Sequence, residues 1–192
     1  MNSLEKRRDV RSEEVFEENI KDFTEREFYW GITLRYDFTE RGFPCSVVEH
    51  GVDNEGKLIK GRLPNHNVDK IYHFDDGRTI KIEIKTIEER YTEFFTFKVY
   101  SLQCCCNQDA YIVVPRLGMY YMIPKETCKF FLDKYDHKIY HGFSKTDRAV
   151  RIFMKEIDKM IETGHIIKKL WTPKAKNYIE ENTHILFREK AR

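Results

Sequence analysis

Residues 79–86 read Thr79-Ile80-Lys81-Ile82-Glu83-Ile84-Lys85-Thr86. Side chains alternate across an extended strand, so Ile80, Ile82 and Ile84 fall on one face and Lys81, Glu83 and Lys85 on the other. A β-branched residue at every second position predicts a strand over 79–87 with one buried face. Just upstream, Asp75-Asp76-Gly77-Arg78 carries the Asp-Gly signature of a tight turn. The turn joins this strand to one over 68–74 (VDKIYHF), which predicts an antiparallel hairpin. Asp69 stands fourteen residues before Glu83, on the partner strand, and the hairpin brings the two together. Two carboxylates and the Lys85 ammonium would then share one surface.

Working outward, residues 11–41 read as helix with a break at Asp22-Phe23-Thr24, because Thr24 and Glu27 fit a capping box that starts a new helix. Gly42 and Pro44 stop it. Glu27, Gly31, Leu34 and Phe38 fall on one stripe of this helix, one carboxylate in line with an apolar face. Residues 45–49 form a strand, and the turn-rich 51–64 (GVDNEGKLIKGRLP) a loop. After the hairpin come a strand over 94–100, a helix with Ser101 as N-cap, two strands over 110–115 and 119–123, and a helix over 125–135. Residues 144–163 place Val150, Phe153, Met154, Ile157, Met160 and Ile161 at helical spacing ahead of Gly164, and Thr172-Pro173 opens a last helix. This order predicts an α/β (α+β) fold, a central mixed sheet flanked by helices. The expected division is a core over 1–143 and a helical extension over 144–192.

Composition bounds the function. The 192 residues are 41% hydrophobic and 14% aromatic, which excludes a disordered chain and predicts one large domain or a domain with a helical appendage. Apolar runs such as Ala110-Tyr111-Ile112-Val113-Val114 fall far short of the roughly 20 residues that cross a bilayer. The start, MNSLEKRRDVRSEE, has no apolar stretch of a secretory signal, so the expectation is a soluble, cytoplasmic protein. Lys and Arg total 34 and Asp and Glu 32, a net +2, so any nucleic-acid contact uses a local basic surface and not a global field. The five cysteines, Cys45, Cys104, Cys105, Cys106 and Cys128, form no CxxC pair and read as reduced thiols. Phosphate-loop, dinucleotide-binding, serine-hydrolase and zinc-protease motifs are missing from the sequence.

The Asp69, Glu83 and Lys85 trio suits one chemistry. Two carboxylates can hold Mg²⁺, which prefers oxygen ligands, and a bound metal activates water and stabilises charge on a phosphodiester. A neighbouring ammonium can orient that water or stabilise the developing oxyanion. Asn67-Val68-Asp69 followed by Glu83-Ile84-Lys85 resembles the PD-(D/E)xK nuclease superfamily, which includes restriction enzymes, homing endonucleases and junction resolvases. The resemblance spans roughly residues 20–125, with Val68 at the variable position of the name-giving proline. It implies a restriction-endonuclease-like core and a Mg²⁺-dependent endonuclease, with Mn²⁺ able to substitute. It further implies Asp69, Glu83 and the Ile84 carbonyl as metal ligands, Lys85 as the catalytic lysine and Glu27 as the first-helix acid. Double-stranded DNA is the expected substrate, and a homodimer the expected state, as suits symmetric cutting of two strands.

Further residues extend this reading. Lys57, Lys60, Arg62 and Asn65, with His66 and Asn67, lie on the loop as phosphate and base-edge donors. Lys98 and Gln103 stand where they would reach the site, and Glu49, His50 or Asp53 could serve in place of Glu27. His66 and His73 flank Asp69, and a histidine beside the carboxylates would point to Mn²⁺ and RNA. Lys168, Lys169, Lys174, Lys176, Arg188, Lys190 and Arg192 suggest a basic helix pair along a duplex, whereas Tyr178, Ile179, Ile185, Leu186 and Phe187 suggest a dimerisation arm. Three alternatives stand beside the DNA endonuclease. One is an RNA-cleaving endonuclease, and one is a non-catalytic nucleic-acid- or protein-binding module of the same fold. The third is an ordinary edge strand with a wet Lys-Glu-Lys face.

Overall fold

The computed structural model describes residues 13–49, 69–86, 93–135, 138–139 and 148–187. Helix α1 (Glu13–Glu40) runs unbroken through Asp22-Phe23-Thr24, so the expected break is absent. Asp and Thr are weak helix formers, but each costs only a few tenths of a kcal/mol, and no Gly or Pro stands there to interrupt the ladder. The helix ends as Gly42 turns left-handed at φ +87° and Phe43 N–H donates to the Phe38 carbonyl (2.9 Å).

Strand β1 (Cys45–Glu49) follows, then the hairpin of β2 (Lys70–Phe74) and β3 (Thr79–Ile84), turned at Gly77. Next come β4 (Phe94–Lys98), α2 (Val99–Gln108), β5 (Tyr111–Pro115), β6 (Met119–Ile123), α3 (Lys125–Lys134) and the two-residue β7 (Lys138–Ile139). Helix α2 starts two residues ahead of the expected Ser101 cap, directly from the end of β4. The chain closes with β8 (Arg148–Phe153), α4 (Met154–Glu162), β9 (Ile167–Leu170), α5 (Pro173–Glu181) and α6 (Thr183–Leu186).

The strands form a six-stranded sheet, β1-β2-β3-β5-β6-β9, and a three-stranded sheet, β4-β8-β7. Among the described pairs only β3 with β5 is parallel, so the large sheet is mixed and mostly antiparallel. Both its faces are covered. Trp30, Leu34 and Phe38 of α1, with Ile179 and Leu186 of the last helices, pack on Tyr72, Ile82, Ile84, Val113 and Tyr120. On the opposite face, Ile112, Val114, Tyr121 and Ile123 meet α2, α3 and the inner side of the small sheet. Double coverage explains why β5 and β6 read as continuous apolar runs instead of alternating ones.

The C-terminal segment differs from a helical extension. Residues 148–153 are strand and not helix, pairing Val150 with Phe97 and Ile152 with Phe95. Val150 and Phe153 fit the helical period while Val150 and Ile152 fit the strand period, and the hydrogen-bonding edge offered by β4 decides between them. Strand β9 adds a further antiparallel edge beside β6, so Lys168 and Lys169 lie on a strand and not on a basic helix. The supposed dimerisation stripe is used within the chain: Ile179 and Leu186 are buried, Tyr178 stacks on Tyr29 (6.1 Å), and Phe187 meets Trp30 edge-on (5.7 Å). None of the described helices is long and apolar enough to cross a membrane.

Asp37 pins this arrangement. It is fully buried, and its carboxylate accepts from Tyr120 Oη (2.7 Å), Arg41 Nε (2.7 Å) and Thr172 N–H (2.9 Å). One side chain thus ties α1 to β6 and to the start of α5. Asp37→Ala would leave the Tyr120 hydroxyl, the Thr172 amide and the Arg41 guanidinium without their acceptor, at about 3–5 kcal/mol. Tyr120→Phe should cost about 1–2 kcal/mol. Urea unfolding of the two variants measures both; near-wild-type stability of Asp37→Ala would contradict the assignment.

Candidate active site

Strand β3 lies inside the large sheet, with β2 on one side (Lys70 opposite Ile82) and β5 on the other (Glu83 opposite Ile112). It is not an edge strand, and its Lys-Glu-Lys face is not a wet one: Glu83 is only 7% exposed. The solvated-face reading is therefore set aside. An ionised carboxylate inside a sheet requires a partner, and Lys85 supplies it, its Nζ standing 2.7 Å from Glu83 Oε1.

Asp69 sits one step before β2, on the register that places it opposite Glu83. Its Oδ2 accepts from the Ile84 N–H at 2.6 Å. The β2 backbone partner has run out at this point, and the Asp69 side chain continues the ladder, which fixes its carboxylate beside the strand. Burial pushes Asp69 well above the ordinary carboxylate range, and the charges of Glu27 and Glu83 add to it; Lys85 and the Ile84 amide pull the other way without prevailing. For Lys85, burial works against the charged form, but Glu83, Asp69 and Glu27 outweigh it and hold the ammonium well above its usual value. Four residues from α1, the hairpin start and β3 therefore act on one another electrostatically.

Asp69 and Glu83 bring two carboxylates together beside the Lys85 ammonium, in a partly buried place. A divalent cation is the natural complement, and an all-oxygen donor set suits Mg²⁺ or Mn²⁺. Asp69 and Glu83 are the carboxylates that would hold it. Among the described residues no three His, Cys, Asp or Glu side chains converge at metal-ligating spacing. Glu27 thus contributes through its field and does not close a third side of a cage.

No known protein-family model and no curated protein matches this chain.

The remaining expected residues divide clearly. Glu49 ends β1 opposite Lys70, at the same end of the sheet as Asp69. Lys57, Lys60, Arg62 and Asn65, with His50, Asp53, His66 and Asn67, lie outside the described residues, as do Arg188, Lys190 and Arg192. His73 is exposed at the turn end of β2, its Nδ1 3.3 Å from Thr79 Oγ1. Four residues of strand, about 13 Å, separate it from Asp69, so it does not join the carboxylates. Lys98 is exposed at the end of β4, and Gln103 is exposed on α2 rather than opening that helix.

The cysteines read as reduced thiols include one in the surroundings: Cys105 of α2 is fully buried and feels the Glu83 charge. A hydrogen bond with Cys128, then burial, push its thiol far above the ordinary range, and Glu83 adds to the effect. The thiol is part of the hydrophobic core that α2 forms with β5 and α3. Three consecutive cysteines carry no spacing signal for such a role. A groove of about 680 Å³ between α3 and α4, lined by Phe130, Tyr135, Met160 and His165 among others, contains none of the four interacting residues.

The raised Asp69 value has a sign that can be tested. The folded protein holds this proton to higher pH than the unfolded chain does. The associated stability is complete below the ordinary carboxylate range and is lost as pH rises through the raised folded value. The gain in Tm on adding Mg²⁺ should therefore grow as pH rises above the ordinary carboxylate range, as an ionised Asp69 acquires a counter-charge. Asp69→Asn should raise Tm in EDTA at the upper pH and abolish the Mg²⁺ response. A variant as responsive as wild type in thermal scans would show that Asp69 does not hold the ion.

Proposed function

We propose that this chain is a divalent-metal-dependent endonuclease that hydrolyses phosphodiester bonds, with double-stranded DNA as its substrate, built on a restriction-endonuclease-like core. The observation that carries the reading is the convergence of Asp69, Glu83 and Lys85 at the end of an interior strand, Asp69 on the Ile84 amide and Lys85 on Glu83. The Glu83-Ile84-Lys85 spacing, the first-helix position of Glu27 and the mixed sheet with helices on both faces support it.

Asp69, Glu83 and the Ile84 carbonyl would hold Mg²⁺ or Mn²⁺, which supplies Lewis-acid stabilisation of charge on the phosphodiester. The chain's own contributions follow from the geometry. The Ile84 amide locks Asp69 Oδ2, and Lys85 locks Glu83 Oε1, so both carboxylates are preorganised. Lys85, held protonated by its neighbours, acts as a cation and hydrogen-bond donor and not as a general base. It orients the attacking water or stabilises the phosphate oxygens as they gain charge. Glu27 strengthens the field that retains both cations. The sheet's apolar coverage lowers the local dielectric and strengthens all of these terms.

Asp69→Ala and Glu83→Ala should each abolish metal-dependent nicking of plasmid, which EDTA also stops. Lys85→Ala should retain Mg²⁺ binding by calorimetry and lower the cleavage rate at least about 100-fold. It should also lose about 2 kcal/mol of stability in EDTA, less than the roughly 3–5 kcal/mol of a fully buried pair, because the Lys85 side chain keeps 26% exposure. Wild-type cleavage by Asp69→Ala or Lys85→Ala would overturn the assignment, and a wild type that binds DNA but never cuts it would leave a non-catalytic module.

A further inference from the structure

The sheet face that carries Glu83 continues away from the site. Side chains alternate along β3, so Thr79 and Lys81 share the Glu83 face. The register adds Ile71 and His73 of β2 and Ser46 and Val48 of β1. Ser46, His73 and Thr79 make one row across the three strands, and Val48, Ile71 and Lys81 make the next. Asp69 and Glu83 follow. The layer covering this face reaches as far as Ile71, which packs against its core. Past that edge the face opens: Val48 is 44% exposed, and Ser46, His73 and Thr79 are exposed too.

Lys81 is out of place by the ordinary rules of a sheet. Lysine is depleted in strands. On an edge it discourages stray pairing, but β3 is interior. Its side chain is half-buried, which costs a charged group part of its hydration. Among the described residues no ion pair holds it, whereas Lys85 is tied to Glu83. The two open rows contain a lysine, a histidine, two hydroxyls and no carboxylate. His73 Nδ1 and Thr79 Oγ1 stand together at 3.3 Å. At the turn beyond them, Asp76 is engaged by Arg78 at 2.6 Å. Two residues of strand advance about 6.6 Å. Lys81 is therefore one such step from Glu83, and Thr79 is a second. Successive phosphates of a nucleic-acid strand follow one another at a similar interval.

We infer that this face is the lane along which the backbone of the cut strand leaves the site. Lys81 meets the phosphate next to the one cleaved, and the Thr79 and His73 pair meets the phosphate after it. The place of this lane in a reaction rests on the nuclease reading. Lys81 holds ground state and transition state alike, so it lowers KM and leaves kcat to Lys85 and the carboxylates. A phosphate contact carries no base information, so its contribution is the same for every sequence.

Binding is measured apart from cleavage. Fluorescence anisotropy of labelled DNA duplexes in EDTA, with the full chain over a range of KCl, gives the affinity and its salt slope. Lys81→Gln, which keeps the aliphatic stem, should weaken binding about three- to tenfold on every duplex and reduce the slope by about one. Lys81→Arg should restore both, which packing of the stem alone would not do. His73→Ala combined with Thr79→Val should weaken binding about threefold. Lys155→Ala removes the same charge from an exposed position on α4 and should leave affinity within about twofold. In Mg²⁺, Lys81→Gln should raise the KM for plasmid nicking by the factor seen in binding, whereas Lys85→Ala lowers kcat. Circular dichroism checks that the variants fold. Unchanged affinity in Lys81→Gln or in the His73 and Thr79 double variant would overturn the lane, as would an equal loss in Lys155→Ala. Duplex binding that depends on Lys81, without cleavage in Mg²⁺ or Mn²⁺, would keep the contact and remove the nuclease reading. Cleavage with affinity and slope unchanged in Lys81→Gln would do the reverse.

Discussion

The site depends on the electrostatic coupling of Asp69 and Lys85 to their neighbouring carboxylates. Glu83 and Glu27 act both on Asp69 and on the Lys85 ammonium, and burial opposes the charged form of each. Left alone, such a cluster opposes folding, since like charges repel and burial favours the neutral acid. It persists because the surrounding elements determine it. β2 and β5 hold β3 on both sides, the Ile84 amide anchors Asp69, and the isoleucine face of β3 is sealed under Trp30, Leu34 and Phe38. Local instability maintained by a strong scaffold is common to sites that recruit a cation or do chemistry.

That scaffold is completed from the far end of the chain. β8 supplies the centre of the small sheet and β9 the outer edge of the large one, so neither layer is whole without residues beyond 148. Asp37 converts this closure into a specific arrangement, gathering donors from α1, β6 and the α5 start around one buried carboxylate. Its donors satisfy it, whereas Asp69 accepts from the Ile84 amide beside Glu83 and is held towards its neutral form. The small sheet is buried on one face by the α2–α3 layer.

Much of the site was legible in the sequence because its signals are local. The period-two isoleucines, the Asp-Gly turn and the Glu-x-Lys spacing all lie within seventeen residues, and a hairpin needs no distant partner to set its register. Glu27 was legible through helical spacing, though its distance from the carboxylates was not. Residues 144–163 misled for a physical reason: Val150, Phe153, Met154 and Ile157 satisfy a helical stripe, and only pairing with β4 shows that the first part is strand. The basic tail misled likewise, because Ile179 and Leu186 have the same pattern whether they face a second copy or their own α1.

By itself the sequence determined the hairpin, the alternation of β3, and the opposition of Asp69 to Glu83, all consequences of backbone geometry over a short stretch. Only the tertiary structure decided that β3 is interior and that its charged face is desolvated, because burial is set by β5, α1 and α2, elements remote along the chain. It likewise decided which aromatic residues stay outside. Phe94 and Phe95 are neighbours of identical chemistry, and the side of the strand that meets the α2–α3 layer is what fully buries one and leaves the other half-buried.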